Sequence, residues 1–145
     1  MTTAPTVCRA LVNLIGRSPA FRTRQVSLAH PGALLELESV WIQRVNAKDT
    51  ARLLGKGHRR EELTVVLALV AEVNADDAGD ALDRAYQMFS DLETVIGGNP
   101  SLGVENVIHA QITSWDQQSF TGDGRRAVEM TVDVTVIANK DLMED

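Results

Sequence analysis

The chain has 145 residues with an apolar fraction of 44% and a charged fraction of 23%, which suits one soluble globular domain with a sizeable core. Its lone cysteine, Cys8, excludes an intrachain disulfide framework and a cysteine-rich zinc site, and no run of 18 apolar residues is present to span a membrane. The net charge of −6 is split: residues 1–62 sum to +5 and residues 63–145 to −11, with Arg9, Arg17, Arg22 and Arg24 but no acid in the first 35 positions. Such asymmetry points to partners with complementary faces, further copies of the chain included, or to two unrelated solvated faces.

Residues 6–17 predict a helix, with Val7, Ala10, Leu11, Leu14 and Ile15 on one stripe, Pro5 suited to the first turn, and Gly16 and Pro19 marking the end. The start lacks the charged segment and clean apolar run of a signal peptide, which predicts synthesis in the cytoplasm. A short strand is expected at 26–29 and another at 37–45. In the second, Leu37, Ser39, Trp41, Gln43 and Val45 alternate with Glu38, Val40, Ile42 and Arg44. Residues 46–62 read as a basic loop, and residues 63–73 as the clearest strand. Leu63, Val65, Leu67, Leu69, Ala71 and Val73 share one face of it, and Val66, Ala68 and Val70 make the other nearly apolar too. A strand apolar on both faces belongs in the middle of a sheet or inside an oligomer.

Residues 78–96 form the clearest helical pattern. Ala78, Ala81, Leu82, Ala85, Met88, Phe89, Leu92, Val95 and Ile96 make its stripe; Asp77 is placed to cap it, and Gly97 or Gly98 to end it in a left-handed conformation. Residues 104–116 and 126–138 then pair as a hairpin around a Thr-Gly-Asp-Gly loop within 117–125, and residues 139–145 form an acidic, mobile tail. The fold class is therefore α+β: a mostly antiparallel sheet packed against two main helices in a single domain spanning 1–145.

No catalytic constellation emerges. Gly55-Lys56-Gly57 runs into His58 and then a strand, so it lacks the spacing and the helix N-terminus of a phosphate-binding loop. His30, His58 and His109 fall in no metal-ligand pattern, Asp123 stands alone without calcium-loop spacing, and no nucleophile–base motif is present. The chain is expected not to be an enzyme and to need no metal or other cofactor. Two groups suggest contact instead. Arg52, Lys56, His58, Arg59 and Arg60 form a positive cluster for a partner protein or nucleic acid, although Glu61 and Glu62 follow at once and no aromatic interleaves it for base stacking. Trp115 and Phe120, with Arg125 and Arg126 across the last hairpin, suit a protein interface or packing beneath the loop.

The succession ELTVVLALVAEV, DDAGDALDRAYQMFSDLETVIGGNPSLG, VENVIHAQITSWD and AVEMTVDVTVIANKD resembles the tail terminator proteins of long-tailed bacteriophages, over residues 63–141. Related head–tail joining and tail completion proteins share this pattern. The resemblance implies an antiparallel sheet flanked by helices, assembled as a hexameric ring. It implies a virion protein, made in the host cytoplasm and located in the tail or neck, that caps the tail tube, ends its polymerisation and meets the head connector. Its partners would be further copies of itself, the tail tube protein and the head–tail connector, with DNA passing through the ring and no membrane involved. The alternatives are a head completion protein of the neck, or an accessory protein binding nucleic acid nonspecifically through the basic cluster. That last reading makes a direct prediction: DNA is retarded in a gel at low salt, the shift weakens steeply as salt rises, and Arg59→Glu with Arg60→Glu removes it. No shift at low salt would exclude it.

Overall fold

The segment with apolar residues on both faces lies in the middle of the sheet. A computed structural model describes residues 2–32, 37–50, 58–73, 78–122 and 125–141. In chain order these form α1 (Ala4–Arg17), a 3-10 turn (Pro19–Phe21), β1 (Gln25–Ser27), β2 (Glu38–Thr50), β3 (His58–Val73), α2 (Ala78–Gly97), β4 (Val107–Gly122) and β5 (Arg125–Asp141). The strands make one sheet in the order β1-β2-β3-β5-β4, antiparallel throughout except where β1 pairs with β2. Both helices cover the same face. The fold is thus α+β with a mostly antiparallel sheet and two main helices, as expected.

The core is the union of the stripes read from the sequence. Leu63, Val65, Leu67, Leu69 and Ala71 of β3 are fully buried and meet Val7, Leu11 and Ile15 of α1, Ala85, Met88 and Leu92 of α2, and Met130, Val132 and Val134 of β5. Burying one such aliphatic side chain contributes roughly 1.5–3 kcal/mol, so this cluster dominates the stability of the domain. On the opposite face Val66, Ala68 and Val70 are buried as well. Trp41 packs with Ala68 and Val70, and His30 stands edge-on to its indole at 4.8 Å. Part of the cover for the second face therefore comes from the chain itself.

The four long strands outrun their sequence signals, although β4 begins at Val107 and not at 104, and the short β1 ends at Ser27 and not at 29. β2 continues to Thr50 and β3 begins at His58, so most of the expected loop 46–62 is antiparallel ladder; residues 51–57 lie outside the described residues. The polar stretch 46–50 has no alternation to announce a strand and is held by its backbone bonds to β3. β4 and β5 likewise extend through nearly all of the expected loop 117–125, leaving only 123–124 outside the described residues. Of the expected mobile tail, residues 139–141 pair with β3, and 142–145 lie outside the described residues. A bulge between Ile42 and Arg44 shifts the phase of β2: Trp41 pairs with Ala68 on the open face while Val45 pairs with Val65, so the two do not share a face. No left-handed glycine ends α2. The positive φ values fall further on, at Gly103 and the buried Leu102, and the helix ends through Gly98 N–H to Thr94 O, Asn99 N–H to Ile96 O and Asn99 Nδ2 to Val95 O. Asp77, the expected cap, lies outside the described residues.

Two long-range polar contacts fasten the helices. Arg24, on the turn before β1, donates to Glu38 of β2 at 2.8 Å and to Asp91 of α2 at 2.7 Å, with its guanidinium 5.0 Å from the Phe21 ring centroid. Burial alone would lower its pKa, but these two carboxylates raise it above the ordinary arginine value. The second contact supplies a cap that α1 lacks in its own sequence. Glu61 of β3, only 2% exposed, accepts from Thr2 Oγ1 at 2.6 Å and from Thr3 N–H at 2.9 Å and Oγ1 at 2.7 Å, with Lys140 Nζ at 3.9 Å. The carboxylate thereby sits at the positive end of the α1 dipole.

Burial pushes the Glu61 pKa up, but the Thr2 and Thr3 hydrogen bonds and the Lys140 charge outweigh it, so the group titrates below its ordinary value of 4.5. A carboxyl with a folded-state pKa below its unfolded one stabilises fully above the unfolded value and loses that contribution as pH falls through the folded one. Glu61→Gln is expected to lower stability by about 2 kcal/mol at neutral pH and to flatten the acid limb of the stability profile. Urea unfolding across the acid range checks both; an acid limb identical to that of the unmodified chain would show that Glu61 contributes nothing.

Candidate assembly surfaces

Among the described residues no three His, Cys, Asp or Glu side chains come together as metal ligands. The Cys8 thiol is pushed up by burial, against a smaller lowering by Arg9, and is protonated at neutral pH. No helix among the described residues is long and apolar enough to cross a membrane. What the fold does gather is exposed apolar surface, on the two lateral edges of the sheet.

The first edge is β4, which among the described residues hydrogen-bonds to β5 on one side only. It carries Ile108, Trp115 and Phe120, which are 45%, 48% and 49% exposed. Trp115 is nonetheless fixed. Its indole stands edge-on to Tyr86 at 5.7 Å and tilted against Phe89 at 5.5 Å, and the Tyr86 hydroxyl donates to Gln117 at 2.6 Å. A rigid, half-exposed aromatic held from behind is the kind of anchor that dominates protein contacts. Phe120 lies nearer the end of the hairpin, where Leu82, Arg126 and Val128 help line a cavity of about 270 Å³.

The second edge is composite. β1 covers β2 only from Ser39 to Trp41, so among the described residues the rest of β2 is itself an edge, with Val45 38% exposed and Leu28 beyond β1 47% exposed. On the sheet face away from the helices, a groove of about 580 Å³ runs from His30 and Trp41 past Val70 to Ala127 and Phe120, with Glu72 and Glu129 in its lining.

The site residues read from the sequence divide accordingly. Trp115, Phe120 and Arg126 lie along the β4 side; Arg125 instead reaches Glu72 of β3 at 2.9 Å. Arg60 is an exposed ladder residue of β3, paired with Thr50 and Asn139, while His58 and Arg59 pair through their backbones with Asp141 and Lys140. Arg52 and Lys56 lie outside the described residues. The five are therefore not brought together as one described loop site. Sequence reasoning missed Ile108 and Leu82. Simple alternation groups Ile108 with Ala110 and Ile112, but the bulge between Val107 and His109 sends Val107 inward and leaves Ile108 in solvent. Leu82 sits in the helical stripe, yet faces the thinly covered flank of α2 and stays 36% exposed.

No protein-family model and no curated protein matches the sequence. The architecture has a counterpart in a solved structure, a chain described as "Virion of native gene transfer agent (GTA) particle". The two align with a TM-score of 0.68 at 9% identity, over 94% of this chain and 98% of that one. They share a fold. Coverage in both directions makes this a likeness of the whole domain, not of one hairpin or one helix pair.

The two tryptophans report separately on the two environments. In the unassembled chain Trp115 should be accessible to iodide and Trp41 shielded, so Trp41→Phe leaves fluorescence that iodide quenches strongly and Trp115→Phe leaves fluorescence that it barely touches. Equal quenching of both variants would contradict the burial pattern described above.

Proposed function

We propose that the chain is a structural protein of a phage-like virion. In this reading it closes into a ring, most simply a hexamer, that caps the tail tube, ends its growth and joins the tail to the head connector. The observation that carries the reading is the whole-domain fold likeness to a chain of a gene transfer agent virion. The resemblance of residues 63–141 to tail terminators supports it independently, because it rests on sequence pattern and not on coordinates. The chain works by shape and contact, not by catalysis. The fixed Trp115 and the apolar edges supply contact surface, and DNA passes through the lumen of the ring.

The test is to add the purified chain to growing tail tubes and image them by electron microscopy. A ring at one end of each tube, with elongation stopped, is the expected result. Binding to the head connector while tubes continue to grow would move the chain to the neck as a head completion protein. Binding to neither would overturn the reading.

A further inference from the structure

We infer that the two lateral edges are the two halves of one heterologous contact between copies of this chain, the β4 edge of one copy seating on the α1–β2 edge of the next. The inference rests on the ring proposed above and says which surfaces close it.

Three observations carry it. The first is placement: Ile108, Trp115 and Phe120 crowd one edge, while Leu28 and Val45 mark the other. The second is charge. Exposed Arg44 and Lys48 lie on β2, and α1, which packs over β1 and β2, adds exposed Arg9 and Arg17, whereas Glu93, Glu105 and Asp116 flank β4. None of these seven forms an ion pair among the described residues, although Arg24, Arg84 and Arg125 elsewhere all do. An isologous contact would press like charge on like; a heterologous one pairs basic with acidic.

The third is height along the strands. Through the register Val45 shares a row with Val65, Val134 and Ile112, and Lys48 shares one with Glu62, Ile137 and His109, next to Ile108. Ser27 shares the row of Trp41, Ala68, Thr131 and Asp116, which puts Leu28 level with Trp115. Leu28 meets Trp115 and Val45 meets Ile112 at matching heights, with the basic edge facing the acidic one, when neighbouring copies are related by rotation about an axis parallel to the strands. Such a contact uses each edge once per copy, and it closes a ring when the rotation divides a full turn.

Two edge variants test this, each checked for native circular dichroism. Arg44→Glu with Lys48→Glu alters the second edge at exposed positions; Ile108→Asp alters the first at an exposed position and spares the packing of Trp115. Light scattering should find the unmodified chain assembled and each variant alone at the mass of one chain. Mixed, the variants should form a dimer and nothing larger, because one intact edge remains on each. A mixture that stays monomeric, variants that assemble normally, or an unmodified chain that is monomeric at high concentration would each overturn the inference. The tube-capping assay separates this outcome from that of the proposed function. Capping by both variants would remove this contact and leave the function standing. The expected dimer without any capping by the unmodified chain would do the reverse.

Discussion

The full-length pairing of β3 between β2 and β5 governs the rest of the molecule. A strand whose inward residues are all aliphatic must be covered on that face, and α1 and α2 together form the cover. Because both helices are spent on one side, the other side is shielded, among the described residues, by its own apolar residues and the Trp41–His30 contact. The same arrangement fixes the edges. With β3 and β5 in the interior, β4 is left as a long outer strand, and β1 is too short to cover β2 beyond Trp41. Long outer strands invite pairing or association, and proteins that remain monomers commonly blunt them with charge or bulges. Here bulges interrupt the first half of β4, while its second half is regular and carries Trp115 and Phe120.

The parts of this architecture that were legible in the sequence are those whose signal is local. The aliphatic alternation of 63–73, the stripe of 78–96 and the valine ladder of 128–136 each state their element and their buried face. What escaped depends on residues far apart. Asn46 to Thr50 have no strand pattern and are strand only because β3 offers them a ladder. Glu61 reads as one acid of a charged loop, yet its partner Thr3 lies 58 positions away at the start of a helix. The bulges at Gln43 and Ile108 defeat period-two reasoning, since one extra residue exchanges the faces of all that follows. Of the candidate surface, the aromatic half was readable because Trp and Phe in a hairpin stand out in a chain with few aromatics. The basic cluster was readable as charge but not as structure, because its described members belong to a ladder.

Fold and surface chemistry bear on the proposed assembly by different routes. The likeness to a virion chain survives at 9% identity because an α+β domain of this kind is specified by patterning, which tolerates wholesale replacement of residues. Surfaces are not so constrained. The split between a basic first part and an acidic second part is a property of this sequence, and the sheet order converts it into a lateral polarity by placing α1 and β2 on one side and β4 on the other.

The Glu61 clamp has one more consequence. It draws Thr2 and Thr3 against the beginning of β3, where β5 also ends at Asp141 beside His58. The described chain therefore starts and finishes at the same pole of the sheet, while the turn end of the β4–β5 hairpin and the cavity beside Phe120 occupy the opposite pole. Labels attached at Thr2 and at Asp141 would mark one and the same end of the sheet, leaving the other bare. In an end-on assembly, that gives a handle for orienting each subunit without touching the lateral edges.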